Sequence, residues 1–320
     1  MLDFAVNVRG SAPPAWLLGR LAARLSDLGR YPSQADERAA TTAVAERHGR
    51  RDDEVVLLAG ATEGFSLLSN LQPRLAAVLA PSFTEPEAAL TAAGVPVEHV
   101  VLAPPFGMDA VEVPDEADLV VVGNPTNPTS VLHPREHILR LRRPGRVVVV
   151  DEAFADAVPG ERESLASELL PDVLVLRSLT KTWALPGLRV GYALGARELL
   201  GRLTATRPHW PLGTLQLEAL IACNDSLSVE EAEEQAAHMV TMRAEMCRGL
   251  QAVGARVVDG SAPFVLFEVP GAPLARKRLA KKRIAVRRCD TFVGLDGHYL
   301  RAAVRREWPT LVNALAEIIG

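Results

Sequence analysis

Six short apolar runs punctuate the first two thirds of the chain: "EVVLLAG" from Glu54, "LAAVLAP" from Leu75, "DLVVVGNP" from Asp118, "RVVVVDE" from Arg146, "DVLVLRS" from Asp172 and "RVGYALG" from Arg189. Each is apolar on both faces of an extended chain, the signature of strands buried between two layers. Between and before them lie segments of helical apolar spacing: "PPAWLLGRLAARLSDLG", with a proline start and a glycine stop, "ADERAATTAVAERHG", with its own glycine stop, and "PREHILRLRR". The alternation predicts an α/β domain with a mostly parallel sheet over residues 35–225. From "SVEEAEEQAAHMVTMRAEMCRGLQAVG" onward the pattern changes to a long helix, the short runs "ARVVDG", "PFVLFEV", "IAVRRC" and "YLRAAV", and a last helix from Glu307. Residues 226–320 therefore read as a smaller α+β unit, and the arm 1–34 is expected to pack with it.

Length and composition narrow the class. A chain of 320 residues with 48% hydrophobic content can bury cores for one large unit and one small one. A net charge of -4 supplies no global basic field, so nucleic acid is not an expected partner. Cys223, Cys247 and Cys289 are widely spaced and odd in number, which suits neither a disulfide framework nor a CxxC zinc site and points to a reducing compartment. No apolar run has the length of a membrane span, and "MLDFAVNVRG" lacks a charged leader followed by a hydrophobic stretch. A cytoplasmic protein without membrane attachment is the expectation.

Four sharp turns fall at strand ends, the edge where open α/β sheets bind ligands: "GATEG" at 60–64, "GNPTNPTS" at 123–130, "DEAF" at 151–154 and "SLTK" at 178–181. In the first, the amides of Ala61 and Thr62 open a helix and suit a phosphate, although most such turns are merely tight turns. Asp151 closes a buried strand, where a carboxylate needs a cation or a hydrogen-bond donor. A capping or salt-bridged aspartate is the plain alternative; a magnesium-holding acid would be accompanied by a GxxxxGK[ST] loop, which the chain lacks. Lysine occurs only as Lys181, Lys277, Lys281 and Lys282, and arginine carries the rest of the positive charge. A lysine amine can lose its proton and form a Schiff base, which a guanidinium cannot. Lys181 stands with Ser178, Thr180 and Arg189, a compact phosphate site beside a reactive amine. An amine, a phosphate cup and an acid for a ring nitrogen are the parts a protein supplies to pyridoxal phosphate.

At "RSLTKTWALPGLRVGY" the chain resembles the cofactor-lysine segment of fold-type I pyridoxal phosphate enzymes, in the branch of histidinol-phosphate aminotransferase and the threonine-phosphate decarboxylase of cobalamin biosynthesis. The likeness runs in order through "LDFAVNVRGSAPP", "RYPSQ", "GATEG", "PSFTEPEAAL", "GNPTNPTS", "VDEAFADAVPGE" and "VRRCDTFVGLDGHYLRAAVR". It implies Lys181 as the Schiff-base lysine, Asp151 as partner of the pyridine nitrogen, Phe83 stacked on the ring and Asn127 on the phenolic oxygen. It implies a phosphate cup of Ala61, Thr62, Ser178, Thr180 and Arg189, with Tyr31 reaching the phosphate of a neighbouring subunit, and hence a homodimer with shared active sites. Arg301 would take a substrate carboxylate or phosphate, Arg287 the distal substrate group, and Asn7 of the arm would also face substrate. Three positions depart from the family pattern: Phe154 for a tyrosine, Val8-Arg9-Gly10 after Asn7, and Arg288 for an aspartate.

"DEAFADAVPGE" with "RRCDTFVGL" resembles the decarboxylase side more closely, so decarboxylation of O-phosphothreonine is the first expectation. Transamination of histidinol phosphate or another amino acid with 2-oxoglutarate is the close alternative. A non-catalytic pyridoxal phosphate-binding regulator is a third, disfavoured because such regulators carry a DNA-binding segment ahead of the arm, which here begins at Asp3. The basic run Arg276 to Arg283 reads as a solvated helix face. His209 and Trp210 suit ordinary packing as well as the site, and Cys289 reads as a small buried residue.

Overall fold

The structure, a computed structural model, describes residues 1–319. The chain opens on a two-residue strand, β1 (Leu2–Asp3). The central sheet follows, built from β2 (Val55–Leu58), β3 (Ala76–Ala80), β4 (Val97–Val101), β5 (Leu119–Gly123), β6 (Val147–Asp151), β7 (Val173–Ser178) and β8 (Gly191–Leu194). Their spatial order is β2-β8-β7-β6-β5-β3-β4, and β8 alone runs antiparallel to its neighbours. This is the mostly parallel sheet the apolar runs predict. Successive residues of one strand enter opposite cores: Val148 and Val150 join the cluster on one face and Val149 the cluster on the other, as a strand period of two requires.

The helices start and stop where local chemistry directs. Helix Gln34–His48 begins on a capping box between Ser33 and Asp36 and ends at Gly49, whose φ of 62° a side chain would disfavour. "PREHILRLRR" is helical only over Arg135–Leu139. Strand β4 has no counterpart among the six apolar runs; as the sheet's outer strand it is half exposed, and its "VEHVV" interleaves polar residues.

A second sheet, of order β12-β13-β10-β9, is formed by β9 (Arg256–Val257), β10 (Phe264–Glu268), β12 (Arg287–Arg288) and β13 (Tyr299–Ala303). It has a core of its own around Phe267, Leu300 and Leu311. Between β10 and β12 lies β11 (Ile284–Ala285), which pairs in parallel with β1. The arm is thereby stitched to the C-terminal part of the chain, and Phe4, fully buried, joins that core. Among the described residues no helix is long and apolar enough to cross a membrane.

Candidate active site

Strands β3, β5, β6 and β7 all end at one edge of the central sheet, and the chain order reverses between β3 and β5, the point at which such sheets open a crevice. A cavity of about 400 Å³ opens there. The segments after these strands bring Phe83, Asn127, Asp151, Ser178, Thr180 and Lys181 to its wall; Ala61 and Thr62 enter from the turn after β2, and Arg189 from the residues before β8. The arm contributes Asn7, and the second sheet contributes Arg287 and Arg301. Of the cofactor- and substrate-binding residues that the resemblance implies, Tyr31 alone stands apart: it is 74% exposed and stacks on Trp210 with ring centroids 4.8 Å apart.

The residues expected to form a phosphate cup are held by backbone geometry. Gly60 has φ 82°, and a Cβ there would lie 3.1 Å from Nη2 of Arg189, so glycine leaves room for the guanidinium. Arg189 itself has φ 61°, an uncommon conformation for a long side chain, and its carbonyl accepts from the Gln216 side chain at 2.8 Å. Strain held in place this way points to a functional position. The Arg189 guanidinium donates to Thr62 Oγ1 at 3.3 Å. The amides of Ala61 and Thr62 open helix Ala61–Leu67 and have no intrahelical acceptor.

Asp151 sits on the cavity floor. Burial pushes its carboxyl up to about 6, while the Ala153 N–H, donating to Oδ1 at 3.1 Å, and the Lys181 charge work in the opposite direction. A cationic ring nitrogen placed against it would relieve that cost. Lys181 is shifted the other way: burial, then Arg189 and Arg301, lower its pKa, and Asp151 opposes them. A larger share of neutral amine follows, the form that reacts with an aldehyde.

Arg301 is buried. It donates to Asn127 Oδ1 and, at 2.8 Å, to the carbonyl of Ala5, and it lies over the Phe264 ring at 5.2 Å. With Oδ1 of Asn127 turned to Arg301, the amide's donor side is free for a ring oxygen. Arg287 pairs directly with Arg301 across β12 and β13, an arrangement of like charges that is unfavourable without an anion. Asn7 carries a buried Oδ1 without a partner. Arg288, one residue on, points out of this wall and pairs with Asp290. Arg9 donates its backbone N–H to the Lys181 carbonyl at 3.0 Å. Phe154 packs edge-on against Phe264 at 5.0 Å. Sequence reasoning missed Phe292, Phe264 and the Ala5 carbonyl: the phenylalanines read as ordinary strand or loop apolars, and a backbone acceptor has no residue-type signal.

The wall thus offers an amine beside a strained arginine cup, an acid on the floor and two arginines above, the set of groups that a phosphorylated pyridine aldehyde requires. The chain belongs to the aminotransferase class I and II family, whose model matches residues 3–309, and members of that family bind pyridoxal phosphate. It is 64% identical to a protein of Mycobacterium tuberculosis named histidinol-phosphate aminotransferase, over 99% of this chain and 87% of that one. Identity to the threonine-phosphate decarboxylase of Salmonella typhimurium is 29%, over 95% of this chain and 87% of that one. Among solved structures, the histidinol-phosphate aminotransferase of Clostridium acetobutylicum superposes with a TM-score of 0.89 at 25% identity, covering 99% of both chains.

These relatives reverse the sequence preference for decarboxylation. The protein is a pyridoxal phosphate enzyme of the aminotransferase class, and amino transfer, the alternative in the sequence reading, is the better supported reaction.

Proposed function

We propose that the protein transfers the amino group of histidinol phosphate to 2-oxoglutarate. The observation that carries the reading is the 64% identity to a protein of that name across nearly the whole chain. The charge of the cavity supports it: Lys181, Arg189, Arg287 and Arg301 face a single carboxylate, Asp151. That surplus suits two phosphate groups, one on the cofactor and one on the substrate.

In this reading Ala61, Thr62, Ser178, Thr180 and Arg189 bind the cofactor phosphate, Phe83 covers the ring, and Asn127 donates to its oxygen. Asp151 holds the proton on the ring nitrogen. Bound pyridoxal phosphate supplies a sink for the negative charge that develops at the substrate Cα. Lys181 anchors it and then, as a neutral amine, takes the proton from the substrate Cα. Arg301 and Arg287, with Asn7 beside them, would orient the anionic end of the substrate and so select which Cα bond reacts. Tyr31 serves the phosphate of a second subunit in a homodimer; its exposure in the single chain agrees with that role. Residues 35–225 form the cofactor-binding domain, and 1–34 with 226–320 the smaller one that carries the substrate arginines.

The test offers histidinol phosphate with 2-oxoglutarate and, separately, O-phosphothreonine. Glutamate from the first pair and no carbon dioxide from the second is the expected result. Carbon dioxide from O-phosphothreonine, with no glutamate formed, would restore the decarboxylase reading.

A further inference from the structure

Behind the cavity wall lies a group of buried charges that the proposed chemistry does not use: Arg47, Glu152, Asp156, Glu161 and Arg177. Their neighbours in the chain are the site residues themselves. Glu152 follows Asp151, Arg177 precedes Ser178, and Thr182 follows Lys181. On strand β7 successive side chains face opposite ways, so Arg177 turns into this cluster where Ser178 turns to the cavity; Glu152 and Thr182 follow site residues just past a strand end and on a short helix. Asp156 is its centre. Its Oδ1 accepts from Arg177 Nη2 and, at 2.8 Å, from Arg47 Nη2; its Oδ2 accepts from Thr182 Oγ1 at 2.8 Å. Arg177 also donates to Glu152 at 3.1 Å and to Glu161 at 2.5 Å. Burial alone would raise Glu161, but Arg177 and Arg47 outweigh it and hold that carboxyl well below the usual range.

We propose that Asp156 is a positioning residue: through Thr182 it fixes the turn that carries Lys181, and through Arg177 it fixes the strand end that carries Ser178. The turn needs such a tie. Helix Leu179–Thr182 is four residues long, with no side-chain cap, and supplies almost no rigidity of its own. The tie to the Lys181 turn runs through the neutral Thr182 hydroxyl, so removing it changes geometry without changing a charge. A displacement of about 1 Å in a reacting group can cost about a hundredfold in rate.

The inference rests on Lys181 being the cofactor lysine, and the test separates the two ideas. Full-length protein is freed of cofactor and reloaded with pyridoxal phosphate. The Lys181 amine condenses with the aldehyde, one water leaves, and borohydride delivers hydride to the C=N bond, giving a secondary amine that mass spectrometry locates. Trapping on any residue other than Lys181 in the unsubstituted protein would refute the lysine assignment. With trapping at Lys181 established, Thr182→Val should slow capture by roughly tenfold, and Thr182→Ser should restore it. Because the charges near Lys181 are unaltered, the pH dependence of capture should keep its midpoint. Asp156 retains both arginines in Thr182→Val, so the fold is preserved; Thr182→Ala, checked by circular dichroism, is the second variant. Capture at the unsubstituted rate in folded Thr182→Val or Thr182→Ala, a Thr182→Ser variant as slow as valine, or a shifted midpoint would each overturn the positioning role.

Discussion

Replacing Asp151 by asparagine should stabilise the cofactor-free protein while weakening its hold on the cofactor, two effects of opposite sign from one substitution. Burial raises the carboxyl to about 6 from the ordinary 3.8. Between those values the folded chain keeps a proton that the unfolded chain has released. The favourable contribution is therefore complete below the ordinary pKa and disappears as pH rises through about 6. The gap is worth about 3 kcal/mol, a ceiling, because Asp151 is only partly buried at the cavity wall. Asparagine keeps the shape and removes the charge. Cofactor-free Asp151→Asn should gain up to about 3 kcal/mol at pH 8 and almost nothing at pH 4. Urea unfolding of both proteins at pH 4, 6 and 8 measures this, and equilibrium titration with pyridoxal phosphate measures the weakened binding. Stability curves that stay parallel across the three pH values would show that Asp151 carries no burial cost, and the account of its pairing with a ring nitrogen would fail with it.

Lys181→Ala should abolish the cofactor's lysine-linked absorbance and all borohydride-trapped cofactor; retention of both would remove Lys181 from its role. Tyr31→Phe should leave the fold intact and weaken cofactor retention by about 1.5 to 3 kcal/mol, the worth of a hydrogen bond to a charged group, and a fully active monomer by ultracentrifugation would refute the shared site. Arg287→Ala should raise KM for a phosphorylated substrate without loss of cofactor. Arg301→Ala should do the same and also lower thermal stability, since Asn127 and the Ala5 carbonyl lose a buried donor. Equal losses for phosphorylated and unphosphorylated substrates would assign both arginines a structural role.

The sheet was legible because runs such as Val147–Val150 are apolar on both faces, short and β-branched, which together favour a strand between two layers over a buried helix. Edge strand β4 was not, because polar residues are free to occupy its exposed side. At the site, the gathering of Lys181, Asp151, Ser178, Thr180 and Arg189 at one sheet edge was readable from residue type and spacing, reinforced by resemblance. The reaction was not, since the same groups serve decarboxylation and amino transfer and no angle is written in a residue sequence. The Arg47, Asp156 and Arg177 cluster escaped as well. Its members are scattered over more than a hundred positions, and single buried charges resemble surface ones until the fold brings their partners together.

The ties between the arm and β13 constrain how the enzyme can be made. Arg301 holds the carbonyl of Ala5 across 296 residues of chain, and Arg305 holds those of Val6 and Val8. During synthesis the arm leaves the ribosome well before β13, and the acceptors at Ala5, Val6 and Val8 have no donors until Arg301 and Arg305 have emerged. The central sheet, whose strands end at Leu194, has all its partners by then and is free to fold on the nascent chain. The wall that Arg301 supplies is added only after the whole central sheet has emerged, so nascent chains halted before Arg301 should present Lys181 and the residues around it without a closed cavity.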